Sequence, residues 1–188
     1  MQMINSTLAT ILNFSIIEFI LVVVIIGPTI YVMVTSAPFV PSQMKQVDRM
    51  LKAANLKKGA KVYDLGAGDG RFLHKAANEY KANAVGYEYS PLVWLWSKFL
   101  SIFWRSSAKL RFGNFWKQDF SDADLIVVYL LPNTMIKLKK EIWPNLKPGT
   151  LLISHSFSIK DFKPWKKLPK NRAKKLGPVW IYKKTTKN

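Results

Sequence analysis

The chain has 188 residues, no cysteine and only two histidines. That composition excludes disulfides, thiolate catalysis and metal centres built on Cys or clustered His. The formal charge is +18 and is unevenly placed. All 29 basic residues lie from Lys45 onward, against ten of the eleven acids, so the chain after Met44 carries +19. From Lys160 there are eleven basic residues and one acid, Asp161. A basic segment of this kind serves an anionic membrane surface, a nucleic acid or a solvated end. The apolar N-terminus favours the first.

Phe19 to Val34 reads FILVVVIIGPTIYVMV, and Leu8 to Ile17 extends the run. About 20 apolar residues suffice for a helix to cross a hydrocarbon core. Residues 1–35 are therefore expected to form a transmembrane anchor, kinked at Pro28 after Gly27. A cleaved signal peptide would carry a positive n-region, which is lacking. Basic flanks stay in the cytoplasm. The expectation is a single-pass protein of the cell membrane, N-terminus outside and catalytic domain cytoplasmic, with Glu18 at the outer interface or paired with a partner. Residues 36–60 read as an exit segment and lid helix. Pro38 and Pro41 stiffen the exit, and Ser42 caps a helix from Gln43 to Asn55.

Residues 61–188 alternate strand and helix. Strands are expected at Lys61–Leu65, Asn83–Glu88, Lys109–Phe112, 124–131 and 151–155, with one more in GPVWIYKK after a basic connection. Helices are expected at Arg71–Tyr80, from Ser90 and Pro91 to Arg105, and at Asn133–Trp143. PLVWLWSKFLSIFW, residues 91–104, is aromatic all round. It reads either as a helix on the sheet or as one that dips into a bilayer interface. The alternation predicts an α/β fold, a mostly parallel Rossmann-like sheet with helices on both faces.

Ligands of such sheets bind at the carboxyl ends of the strands. The first end is VYDLGAGDGRF, residues 62–72. Gly66, Gly68 and Gly70 permit close backbone approach to a cofactor. Their spacing is G-x-G-x-G, with Arg71 where the dinucleotide fingerprint has its last glycine, and no phosphate-binding lysine follows. Glu88, eighteen residues past Gly70, closes the second strand, where a carboxylate can take both hydroxyls of a ribose. Asp64 is placed to hold a cationic amino-acid moiety. A ribose, no phosphate and a charged amino-acid end describe S-adenosylmethionine. At the third end, Asn114 can bond an adenine and Phe115 or Trp116 can stack on it. The fourth and fifth ends, 129–133 and 154–157, should flank the transferred methyl. His155 is available there as a base or as a structural residue, and His74 is expected at the surface.

PFVPSQMKQ, VYDLGAGDGRF, VGYEYSPLVW, GNFWKQDFSDADLIVVYLLPNT and LKPGTLLISHSF resemble, in that order, the membrane-anchored seven-β-strand protein-lysine methyltransferases. That group includes the enzymes acting on the adenine nucleotide translocase and on the ATP synthase c subunit. The sheet is also similar to that of Dot-one type histone-lysine methyltransferases. The resemblance covers roughly residues 36–165. It implies a class I S-adenosylmethionine-dependent fold with Asp64, Gly66, Ala67, Gly68 and Gly70 along the methionine part of the cofactor. Glu88, with Tyr89 beside it, would take the ribose, and Asn114 and Phe115 would serve the adenine. Phe39, Pro41 and Ser42 would form a lid. Pro132, Asn133 and Phe157 would border a lysine channel. Asn114 departs from the Asp usual in the group, and the basic segment from Lys160 to Lys175 departs too.

The reading that follows is an S-adenosylmethionine-dependent protein-lysine N-methyltransferase acting on a membrane protein at an anionic membrane surface. Two alternatives stand beside it: methylation of a lipid or quinone head group, and a non-catalytic cofactor-binding module. Nucleic acid is disfavoured, because the loop after the fourth strand lacks the Asn/Asp-Pro-Pro-aromatic arrangement of base methylation.

Overall fold

The structure, a computed structural model, describes residues 16–35 and 38–186. Its frame is one seven-stranded sheet. The strands are β1 (Lys61–Leu65), β2 (Asn83–Glu88), β3 (Lys109–Phe112), β4 (Leu125–Val128), β5 (Leu151–His155), β6 (Lys166–Leu168) and β7 (Val179–Lys183). Their order is β3-β2-β1-β4-β5-β7-β6. β1 to β5 run parallel, and β7 lies antiparallel between β5 and β6. The chain winds outward one way from β1 and the other way from β4. Between those two strands a crevice opens at the carboxyl ends.

The predicted strands form where expected, with two differences. The fourth stops at Val128, because Leu131 and Pro132 turn the chain into the next helix. β6 arises inside the basic connection, with both its lysines exposed and no apolar alternation to mark it.

Side chains alternate along the strands and build two cores. On one face Val62, Leu125, Val127 and Ile153 pack with α3 (Met44–Ala54) and α4 (Arg71–Tyr80). α3 buries Val47, Met50, Leu51 and Ala54, and α4 buries Phe72, Leu73, Ala76 and Ala77. Both sets follow helical spacing. On the other face Leu65, Ile126, Val128 and Leu152 meet α6 (Pro132–Glu141) through Met135 and Leu138. At Gly86 in β2 the start of α4 packs tightly on the sheet. A Cβ there would stand 2.6 Å from the Ala67 Cβ and run into the Leu73 side chain.

The N-terminal apolar stretch corrects the sequence reading. It comprises α1 (Ile16–Leu21), a wide π turn (Val22–Ile26) and α2 (Gly27–Thr35). Gly27 N–H donates to the Val22 carbonyl, five residues back. Pro28 has no N–H to continue the ordinary ladder. Among the described residues no helix is long and apolar enough to cross a membrane. That overturns the single-pass localisation, with the N-terminus outside and the domain inside. Most of the Leu8–Ile17 part of the expected anchor lies outside the described residues. α2 packs on the domain instead: Thr29 is buried, its hydroxyl donates to the Ile25 carbonyl, and Ser90 Oγ donates to it at 3.4 Å.

α5 (Pro91–Trp104) starts as predicted, capped by Ser90 with Pro91 in its first turn. It rests against β3, β2, the π turn and α2, and its Ser101 and Trp104 meet α4 through His74. Leu92, Leu95, Trp96, Phe99, Ile102 and Phe103 form an outward stripe at three- and four-residue spacing. His74 is likewise not a surface residue. It is 1% exposed, stacks on Trp104 and meets the hydroxyls of Ser101 and Ser106.

Candidate active site

The carboxyl ends of β1, β2, β4 and β5 enclose a cavity of about 690 Å³. That lies within the range of small-molecule sites. The register aligns the strand tips. Leu65 pairs with Tyr87 and Val128, and Val128 pairs with Ser154. One residue further on stand Glu88, Gly66, Tyr129 and His155, side by side along the edge.

The glycine loop turns back on itself after β1. Gly66 N–H and Ala67 N–H both donate to the Tyr87 carbonyl at 3.0 Å, and Gly68 N–H donates to Glu88 Oε2 at 3.0 Å. Gly66 (φ +82°) and Gly68 (φ +56°) need the left-handed region that glycine enters freely. A Cβ on Gly68 would meet the Phe39 ring at 2.7 Å, so the exit segment lies directly on the loop.

Three carboxylates crowd this end. Glu88 is 8% exposed, and its other oxygen accepts from Ser90 N–H at 2.8 Å. Burial pushes its pKa up, against the pull of those backbone donors. Asp64 is pushed well above the usual carboxylate range, first by burial and then by the charges of Glu88 and Asp69. Among the described residues no donor reaches the Asp64 carboxylate. Asp69 is held by Arg71, whose Nε lies 2.9 Å from both its oxygens, while Arg71 Nη1 donates to the Ser42 carbonyl at 2.6 Å.

This end suits S-adenosylmethionine on the structure's own terms. A buried carboxylate without a donor can accept an ammonium. A second carboxylate spends one lone pair of each oxygen on a backbone N–H, and a carboxylate oxygen has another to offer a ribose hydroxyl. Gly66 and Gly68 supply the left-handed backbone that turns the loop along the cavity wall.

Most of the expected site residues line the cavity. Phe39, Pro41 and Ser42 do so from the exit segment, Asp64, Gly66, Ala67 and Gly68 from the loop, and Glu88, Tyr89, Asn114, Phe115, Asn133 and Phe157 from the other tips. Gly70 and Pro132 do not line it. Gly70 caps α4 from behind, against Leu110 and His74, and Pro132 begins α6 with its ring exposed. Ser42 is not the cap of α3; that position is Gln43, and Ser42 Oγ lies 3.1 Å from His155 Nδ1. Asn114 Oδ1 is engaged by Trp116 N–H at 2.9 Å, which leaves its amide N–H groups to the cavity. One face of Trp116 is covered by the Lys137 ammonium, 4.4 Å from the ring centre.

The sequence reading missed Asp69, Arg71, Thr134 and Lys137, all on the cavity wall. Tyr31 of α2 also reaches it. Arg71 had one signal, its place directly after the last glycine of the loop; its partner Ser42, 29 residues back, gave none. His155 is 8% exposed, and burial lowers its pKa to about 4. A group that weak as a base does not deprotonate an ammonium at neutral pH. Its structural role is the one observed.

The ANTKMT methyltransferase domain matches residues 64–166, more than half of the chain. The chain belongs to the ANTKMT methyltransferase family. This methyltransferase is 32% identical to a protein-lysine N-methyltransferase of Saccharolobus islandicus over 156 residues, 79% of its own length and 94% of the other's. It is 32% identical to the human ATP synthase c-subunit lysine N-methyltransferase over 154 residues, but spans only 62% of that protein. The mouse adenine nucleotide translocase lysine N-methyltransferase is 29% identical over 131 residues. Among solved structures, an RNA methyltransferase of Salinibacter ruber in complex with S-adenosyl-L-homocysteine superposes with a TM-score of 0.72 and 29% identity, over 78% of this chain and 95% of that one.

Proposed function

We propose that this methyltransferase is an S-adenosylmethionine-dependent protein-lysine N-methyltransferase whose acceptor is a membrane protein. The match along 94% of the Saccharolobus protein-lysine enzyme carries the lysine assignment. The relatives named for the ATP synthase c subunit and the adenine nucleotide translocase support the membrane-protein acceptor. A net charge of +18 complements an anionic headgroup surface around such a substrate.

When bound, S-adenosylmethionine supplies a methyl carbon already activated on a sulfonium. The chain's own residues then bind and orient. Asp64 holds the ammonium of the methionine moiety, and Gly66, Ala67 and Gly68 give it backbone clearance. Glu88 takes the ribose hydroxyls, with Tyr89 beside it. The Asn114 amide and the Phe115 ring serve the adenine. Phe39, Pro41 and Ser42 close over the glycine loop and keep water out. Asn133 and Phe157 border the entrance of the acceptor. No side chain needs to act as a strong base, since the acceptor amine can lose its proton to water before it is aligned.

A second reading, methylation of RNA, is favoured by the Salinibacter protein's name and by the basic charge. Both are separated by incubating the purified full chain with radiolabelled S-adenosylmethionine and a cell extract, then resolving protein, lipid and RNA. Label in a protein band, mapped to lysine, is the expected result. Label in RNA or in the lipid extract overturns the lysine reading.

A further inference from the structure

The basic segment after Lys160 has no part in the active-site cavity. Its turn, from Lys170 to Leu176, is folded back on itself. Asn171 and Leu176 exchange backbone hydrogen bonds at 2.9 Å, and Asn171 Oδ1 accepts from Lys174 N–H at 3.0 Å. α3 grips both stems of that turn. Arg49 Nη2 donates to the Pro169 carbonyl at 2.6 Å and Nη1 to the Gly177 carbonyl at 3.0 Å, with Gln46 Nε2 on the same Gly177 oxygen at 3.3 Å. Between the start of α3 and the turn lies a groove of about 550 Å³, lined by Gln43, Met44, Lys45, Ala173, Lys174 and Lys175. Its three lysines are exposed, and among the described residues none of them has an ion-pair partner. Asp48, on α3 three residues beyond Lys45, is taken by Lys75 at 2.6 Å.

We propose that this groove docks an acidic stretch of the acceptor protein, with carboxylate side chains against Lys45, Lys174 and Lys175. The inference rests on the protein-lysine reading above and adds to it a preference for acids near the methylated residue. The groove begins where the cavity ends: Ser42 lines the cavity and Gln43 lines the groove. Lys45 is three residues from Ser42, so their Cα atoms stand at most about 11 Å apart. An extended acceptor with acids about three to five residues from its target lysine spans that interval. The turn is also packed on the tip of β5, since a Cβ on Gly177 would stand 3.0 Å from His155 Nε2.

The lining chooses among anionic partners. It contains no acid, so an incoming carboxylate meets no like charge. It contains no aromatic ring either, and single-stranded nucleic acid is held by stacking as well as by charge. Its floor is recessed, where a flat bilayer surface does not reach. Lysine ammoniums are compact point charges on flexible stems, able to follow carboxylates whose exact spacing varies. The backbone that carries them is braced by Arg49 and Asn171, so docking has only side chains to order.

The test uses two fluorescein-labelled peptides, each with a single lysine. One carries Asp at the third to fifth positions on either side of it, and the other carries Asn at the same places. Each is titrated by fluorescence anisotropy into the purified full chain at about 0.15 M salt, where distant charges are screened, with S-adenosylhomocysteine saturating. Wild type should bind the acidic peptide roughly 3- to 30-fold more tightly than the neutral one. The triple variant Lys45→Gln/Lys174→Gln/Lys175→Gln should lose that preference, with S-adenosylhomocysteine affinity and melting temperature unchanged. A control triple, Lys57→Gln/Lys58→Gln/Lys81→Gln, removes the same charge at the amino ends of β1 and β2 and should keep it. No preference in wild type, or an equal loss in both triples, overturns the proposal. So does a groove variant whose affinity falls for oligouridylate or phosphatidylglycerol vesicles but not for the acidic peptide. Lysine labelling of a cell extract by wild type is scored separately. Labelling without a groove-dependent preference sinks this inference alone, and a groove-dependent preference with label only in RNA or lipid sinks the lysine reading alone.

Discussion

Removing the Glu88 carboxylate should weaken cofactor binding, but the alanine substitution would mislead. Glu88 accepts from Gly68 N–H at 3.0 Å and from Ser90 N–H at 2.8 Å, both in buried surroundings. Glu88→Ala strands two buried donors at about 1–3 kcal/mol each, a large share of the ~5–15 kcal/mol that holds a domain together. It would loosen the glycine loop and the start of α5 whether or not the ribose is involved. Glu88→Gln is the sharper variant. Its side-chain carbonyl keeps one of the two backbone bonds and the shape of the site. It loses the charge and one acceptor for the ribose. A hydrogen bond to a charged group contributes about 1.5–3 kcal/mol, so affinity should fall roughly 10- to 150-fold. Calorimetric titration with S-adenosylhomocysteine reads that fall, and circular dichroism melting reads the stability cost separately. Wild-type affinity in Glu88→Gln, alongside a lowered melting temperature, would refute the ribose assignment and leave Glu88 a loop fastener.

Three more outcomes follow from the geometry. Gly68→Ala puts a Cβ 2.7 Å from the Phe39 ring at a φ of +56°, so it should displace the lid and weaken S-adenosylhomocysteine binding. The left-handed backbone adds a stability loss of about 1–2 kcal/mol in urea denaturation, and unchanged affinity would show that Phe39 is no lid. Arg71→Ala releases both Asp69 and the Ser42 carbonyl; it should raise the KM for S-adenosylmethionine and speed proteolysis of the exit segment, and an unaltered cleavage rate there would count against the clamp. His155 has its folded pKa depressed to about 4, so the neutral form stabilises the fold above the ordinary value of 6.5 and that share is lost as pH falls toward 4. The stability gap between wild type and His155→Asn should therefore narrow between pH 7 and pH 4.5 by up to roughly 3 kcal/mol; a constant gap in urea titrations at the two pH values would mean that His155 titrates normally.

Local pattern carried the sheet and the acidic end of the cavity. Asp64, the glycines and Glu88 sit at strand tips that hydropathy and loop chemistry mark within a few residues. The bounds of α4, β1, β2, β3 and β5 were legible for the same reason. What escaped depends on partners far along the chain. His74 is buried because Ser101 and Ser106, more than 25 residues away, meet its ring nitrogens. Ser42 looks like a helix cap until His155, 113 residues on, takes its hydroxyl. Gly86 reads as an ordinary strand residue, and only the approach of Leu73 and Ala67 explains why no side chain fits. The N-terminal stretch misled through hydropathy, which counts apolar residues but not the turn at which Pro28 divides their helix.

The strand seventh in sequence lies sixth across the sheet, between β5 and β6. β6 has no other partner in the sheet, and Val179, Ile181 and Tyr182 complete both cores. On a ribosome, the strands that carry the glycine loop emerge long before the strand that locks β5 in place. The nascent chain must then hold an open sheet edge at β5 until residues 179–183 leave the exit tunnel. Chaperone engagement during synthesis should concentrate on that interval, and a chain truncated before Val179 should aggregate more than the full chain.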